Sequence, residues 1–163
     1  MKKSIIIILI TILIMVIFLL GIIIYTNDMQ MNECLELRVP KLTKREKIEL
    51  QDSDIFNDEE VIKIYLSQNQ VEDIMKKIEQ NKNWIHGEID ERLKERLEFH
   101  TRENIFFNIP KILNPYWIFT NRSNGMKDKH SVRELLEDGM YYAISFGILD
   151  IDNNILYYYE YDK

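Results

Sequence analysis

The chain has 163 residues, 21 Lys and Arg against 27 Asp and Glu, and one cysteine. That length holds one modest domain with an appendage, and a lone cysteine excludes an internal disulfide. Only Lys2 and Lys3 of the basic residues precede Tyr25, so the remainder carries 19 basic against 27 acidic residues. That balance argues against nucleic acid and against anionic lipid headgroups as partners.

Residues Ile5 to Tyr25 form an uncharged run interrupted in its apolar character by Thr11 and Gly21. As a helix, 21 residues extend about 31 Å, close to the ~30 Å of a hydrocarbon core. A cleaved signal peptide has an apolar region of about 7–15 residues ending at a small-x-small site, and the exit "IIIYTNDMQMNEC" has none. Residues 1–25 are therefore expected to be a signal anchor, a single transmembrane helix; a secreted domain after cleavage is the alternative. Glu33, directly before Cys34 and well past the apolar run, disfavours lipid attachment at that cysteine. Lys2 and Lys3 favour a cytoplasmic N-terminus, although Arg38, Lys41, Lys44 and Arg45 fall inside the same counting window on the far side. The expected localisation is the cell membrane, single-pass, with the domain outside.

Residues 26–42 read as a polar juxtamembrane linker, and 43–163 as an acidic α+β domain. In "KIELQDSDIFNDEEVIKIYLS", Ile48 and Leu50 alternate with charged neighbours, as do Ile62, Ile64 and Leu66. This predicts two strands joined by an acidic loop. Thr43 with Glu46 offers a competing capping box for a short helix. "SQNQVEDIMKKIEQNKNW" predicts a helix capped by Asn69, with Val71, Ile74, Met75 and Ile78 on one face. "GEIDERLKERLEFH" predicts a second helix with a narrow stripe of Ile89, Leu93 and Leu97, lying on the surface. Tyr116 to Asn121 read as a short strand, and "SVRELLEDG" as a compact helix with Ser131 at its N-cap and Gly139 past its end.

The ending "YYAISFGILDIDNNILYYYEYD" reads as a hairpin. An Asn153-Asn154 two-residue turn would pair Ile148 with Tyr159 and Phe146 with Tyr161. Ile144, Phe146 and Ile148 then share a face with Tyr157, Tyr159 and Tyr161. The fold class expected is α+β: a transmembrane helix, then an antiparallel sheet of four to five strands with helices on one face.

Motifs for chemistry are weak. Asp150, Asp152 and Asn154 alternate like the start of a calcium loop, but the sixth position is Ile155 and the twelfth Tyr161, where Gly and Glu are needed. The cluster Asp52, Asp54, Asp58, Glu59 and Glu60 is irregularly spaced and reads as a solvated loop tip. His86, His100 and His130 are scattered and read as surface residues. No Gly-x-Ser-x-Gly elbow or Gly-rich phosphate loop occurs. No catalytic residue, cofactor or metal ligand is therefore assigned, and an enzyme is not expected. The aromatic surplus of Tyr116, Trp117, Tyr157, Tyr158, Tyr159 and Tyr161 is the candidate surface. Consecutive tyrosines point to both faces of a sheet, and rings left uncovered would mark a protein partner.

"EEVIKIYLS", "VEDIMKKIEQNKNW", "NPYWIFTNRS" and "YAISFGILDIDNNILYYYE" together resemble a loose group of small, functionally uncharacterised, membrane-anchored proteins of low-GC Gram-positive bacteria. That group has a glycine-rich loop in its first hairpin, where this chain has "DSDIFNDEE". The resemblance implies an architecture and adds no site. The expected function is a membrane-anchored binding or accessory module, with an immunity-type protein that neutralises a toxin at the membrane as the alternative.

Overall fold

The computed structural model describes residues 2–41, 43–48, 58–95, 112–123, 128–137 and 143–162. Helix α1 (Lys2–Leu35) leads into strands β1 (Lys44–Ile48) and β2 (Asp58–Tyr65), then helix α2 (Gln68–Ile78). Strands β3 (Ile85–His86) and β4 (Tyr116–Asn121) follow, then α3 (Val132–Glu137), β5 (Ala143–Asp150) and β6 (Ile155–Asp162). The six strands form one antiparallel sheet in the order β1-β2-β6-β5-β4-β3. Two expectations about this sheet are corrected. It has six strands, not four to five, because β3 adds a two-residue edge through Ile85 opposite Trp117. Its two faces are both covered, not one.

One face carries Val61, Trp117, Phe119, Phe146, Ile148, Tyr157, Tyr159 and Tyr161 under Ile89 and Leu93, with Ile112 and Val132 packed alongside. Leu93 belongs to a helical stretch over 91–95, so the stripe expected at the surface is core. The other face carries Ile64, Ile118, Leu149, Leu156 and Tyr158 under α2 and the end of α1. Tyr157, Tyr158, Tyr159 and Tyr161 are all buried. The expected aromatic docking surface on the sheet is corrected accordingly: layers on both sides leave these rings no free face.

Local signals account for the other elements. The capping box of α2 uses Ser67, not Asn69: its hydroxyl accepts from the Gln70 amide while the Gln70 side chain accepts from the Ser67 amide. Val71, Ile74 and Ile78 are its buried face. The pairing of β5 with β6 differs by two residues from that of a two-residue turn, with Ile148 opposite Tyr157 and Phe146 opposite Tyr159. The loop is four residues long. Asp150 closes it by accepting from the Asn153 backbone (3.1 Å) and side chain (2.8 Å), and Asn154 takes φ 55°. A shift of two preserves the side-chain faces, so the face assignment survives the register error.

The N-terminal element is corrected most. Among the described residues no helix is long and apolar enough to cross a membrane. Apart from Met29, the exposed apolar side chains described on α1 run from Leu9 to Leu19, about 16 Å of helix against the ~30 Å of a hydrocarbon core. The helix also continues ten residues beyond Tyr25. Within the segment expected to be a polar linker, Met31, Cys34, Leu35, Leu37 and Val39 are buried in the domain core.

Candidate functional site

The densest gathering of charged and polar side chains among the described residues lies where α1 meets the sheet. A helix ends with four carbonyls that have no partner within it. Here all four find one. Leu37 donates to the Asn32 carbonyl (3.1 Å) and Glu36 to that of Glu33 (3.3 Å), which is the pair of bonds of a Schellman closure. The Thr120 hydroxyl donates to the Cys34 carbonyl (2.7 Å) and the Trp84 indole to the Leu35 carbonyl (2.9 Å). The first two partners are local and the second two come from the sheet domain, so the helix terminus is completed only in the folded domain.

Glu36 occupies the left-handed position of that closure, with φ 51°, where Gly is the usual residue. Its carboxylate is the hub of a clasp. One oxygen faces His130 Nε2 at 2.8 Å and Lys129 Nζ at 3.4 Å. The other accepts from the side-chain amides of Asn81 (3.0 Å) and Asn83 (2.8 Å). Burial works to raise the Glu36 pKa, but hydrogen bonds from Asn83, Asn81 and His130 outweigh it and lower the value to about 2. The His130 side chain is only 7% exposed. Its Nδ1 lies 2.8 Å from the Phe119 carbonyl and its Nε2 on the Glu36 carboxylate. Both ring nitrogens thus face oxygen atoms of the clasp. The residue read from the sequence as a surface histidine is a nearly enclosed member of this clasp.

A second group of contacts lies under the preceding turns. Gln30 donates to Glu160 on β6, and Arg122 pairs with the same carboxylate at 2.7 Å. The Tyr158 hydroxyl donates to Glu160 at 2.7 Å. Burial, with Cys34 and Glu160 close by, pushes the Tyr158 pKa up and keeps its proton on. The Ser145 hydroxyl donates to Cys34 Sγ at 3.4 Å, and that thiol is buried, so it is closed to another chain. Leu35 sits over Gly147, where a Cβ would come within 2.2 Å of its Cδ2. One glycine in β5 thus lets the helix end settle directly onto the sheet.

This arrangement binds an element of its own chain. The Thr120 hydroxyl lies 3.3 Å from His130 Nδ1, a pairing of hydroxyl and base. That hydroxyl is buried and committed to the Cys34 carbonyl, which closes the pair to a substrate. Asp52 and Asp54 of the acidic cluster lie outside the described residues, as do the side chains of Asp58 and Glu59 and all of His100. Among the described residues no three His, Cys, Asp or Glu converge as metal ligands. Asp150 is buried and holds its own turn, and His86 stacks on Tyr116 with ring centroids 4.3 Å apart. Glu36, Asn81, Asn83, Thr120, Arg122 and Glu160 were not singled out from the sequence. Their roles depend on partners 38 to 130 residues away, which no local pattern records.

No protein-family model, curated protein or solved structure matches the chain. The resemblance noted from the sequence gains no support from these comparisons.

Proposed function

We propose that the protein is a membrane-associated binding or accessory module in which α1 is a rigid, lipid-contacting extension of the sheet domain. The observation that carries this reading is the contrast along α1. Ten apolar side chains from Leu9 to Leu19 each expose between 46% and 68% of their surface, all round the helix, while its last turns are buried and capped in the domain. A helix that is apolar all round needs an apolar environment. Lipid supplies one, and the proposal is of lipid contact over that length. The module reading is supported by the junction, where the charged and polar groups hold α1 and not a substrate.

The test is fractionation of the full chain expressed in a bacterial host. It should pellet with membranes, resist alkaline carbonate and be released by detergent. A quadruple variant with Ile10, Leu13, Ile14 and Ile17 changed to Asn should move to the supernatant with its sheet domain folded. Recovery of the unaltered chain in the supernatant as a dimer or larger assembly would refute lipid contact and assign the apolar helix to a second copy.

A further inference from the structure

We infer that a basic rim beside the exit of α1, formed by Arg38, Lys41 and Lys47, binds the phosphate-bearing headgroups of an anionic lipid surface. This rests on the lipid contact proposed for α1. Five of the 21 Lys and Arg lie in the ten residues 38–47, against a single acid, Glu46, in a chain that is otherwise acidic. The path of α1 explains why that cluster matters. Cys34 lies against Thr120 on β4 and Ser145 on β5, Gln30 against Glu160 on β6, and Asp28 against Arg45 on β1. In a sheet ordered β1-β2-β6-β5-β4, this sequence of contacts carries the helix outward over the β1 edge. Asp28 lies nine residues beyond Leu19, the last apolar side chain for which lipid contact is proposed, or about 13.5 Å along a helix. That is about 7 Å past a headgroup layer of roughly 5–7 Å, within a Debye length of ~8 Å. The Asp28–Arg45 pair fixes β1 at that distance.

The cations are placed to act there. Arg38 and Lys41 are exposed, whereas Lys44 lies over the Tyr65 ring on the other face of β1 and is not part of the rim. Lys47 is 61% exposed, and its partner Glu60, 3.4 Å away, is 39% exposed, so that pair is worth little in water and gives way readily to a headgroup. Beside the rim, a groove of about 740 Å³ is lined by Arg38 and Lys41 together with Asp28 and Glu36. Both of those acids are already engaged, Asp28 by Arg45 and Glu36 by the clasp. Charges on an edge strand also block unwanted strand pairing, which would account for Lys47. It does not account for Arg38 and Lys41, which lie off the strand. The net negative charge of the whole domain does not oppose binding, because charges beyond a Debye length of ~8 Å are largely screened.

The test is co-flotation of the full chain, exchanged out of detergent, with vesicles of phosphatidylcholine alone or mixed with phosphatidylglycerol. Partition should favour the anionic vesicles by roughly tenfold or more at about 0.15 M salt, where that screening holds, since each Lys or Arg at the surface contributes to attraction, and the preference should shrink as salt is raised further. The variant R38Q/K41Q/K47Q should lose the preference while binding neutral vesicles as before. The charge-retaining variant R38K/K41R/K47R should keep it. Equal partition of the unaltered chain into both vesicles, or a preference that persists in the Gln variant, overturns the headgroup inference alone. Failure to float with either vesicle overturns the lipid contact and the inference with it.

Discussion

Replacing Gly147 by Ala tests the docking of α1 in a way whose sign is informative. Gly147 lies inside strand β5, and its backbone carries no positive φ. In an isolated strand Ala would then stabilise by about 0.5–1 kcal/mol, because Gly loses more freedom on folding. Here the added methyl would stand 2.2 Å from Leu35 Cδ2, 3.1 Å from Ile118 Cγ2 and 3.5 Å from Trp84 Cη2. Leu35 is 1% exposed and its carbonyl is held by Trp84, so it has little room to retreat. Overpacking of this kind costs about 1–3 kcal/mol, which corresponds to a fall in Tm of roughly 2–12 °C for a chain of this size. The assay is denaturant unfolding of the detergent-solubilised chain, followed by tryptophan fluorescence, since Trp84 lies at the contact. Leu35→Ala alone should cost about 2–5 kcal/mol through the cavity it leaves. In that background Gly147→Ala should become neutral or stabilising, giving a coupling well above the ~0.5 kcal/mol seen for independent sites. Stabilisation by Gly147→Ala alone, or the same effect with and without Leu35, would refute the docking of the helix end on β5.

Glu36→Gln should weaken the clasp, and its effect should depend on pH. The folded value is lowered from 4.5 to about 2, so the carboxylate stabilises the fold above pH 4.5 and loses that contribution as pH falls toward 2. The stability difference between the unaltered chain and the variant should therefore be largest near neutrality and shrink across that window, as read by chemical denaturation at a series of pH values. His130→Phe removes the ring contacts to the Phe119 carbonyl and to a Glu36 oxygen that then keeps only Lys129, 3.4 Å away, and should cost about 1–3 kcal/mol; Glu36→Gln made on top of it should cost less than on its own. Asp150→Ala removes both acceptors that close the four-residue turn and should lower stability by about 0.5–1.5 kcal/mol per hydrogen bond lost. Amide exchange should show that loosening first at Asn153.

How much of this was legible in the sequence differs by level. Strand alternation in Ile62 and Ile64, the helical spacing of Val71, Ile74 and Ile78, and the alternating aromatics of the closing hairpin each named an element and its buried face, because a single period records both. The loop of that hairpin was misjudged because two Asn suggest a tight turn, while Asp150, one step earlier, captures Asn153 and lengthens it. The second covered face was missed because the narrow stripe of Ile89 and Leu93 says nothing of what it meets, and Leu93 turns out to be fully enclosed. The clasp was illegible. Glu36, His130, Asn81, Asn83 and Thr120 come together only once the end of α1, the turn after α2 and strand β4 are packed together, and each alone looks like a solvated polar residue. The break between helix and linker was misplaced for a related reason. "NDMQMNECLEL" is polar by composition, yet Met31, Cys34 and Leu35 fall on one helical face and find the sheet.

The choice of Glu at position 36 is best understood by asking what Gly would do there. Gly adopts φ 51° without penalty, whereas a residue with a Cβ costs about 1–2 kcal/mol in that region, and the Schellman bonds of Glu36 and Leu37 use only backbone atoms. Gly would therefore end the helix at lower cost. It could not supply a carboxylate to Asn81, Asn83, Lys129 and His130, which come from the turn after α2 and the loop before α3. The strain is accepted where it joins those segments to α1. A helix meant to act as a loose tether has no use for such a junction, since a capped end and a flexible chain would hold the domain as well. A junction that fixes direction is needed when the orientation of the sheet relative to the apolar helix matters. Orientation is also what would bring the β1 edge, and not the acidic remainder of the domain, against the lipid surface that α1 is proposed to contact.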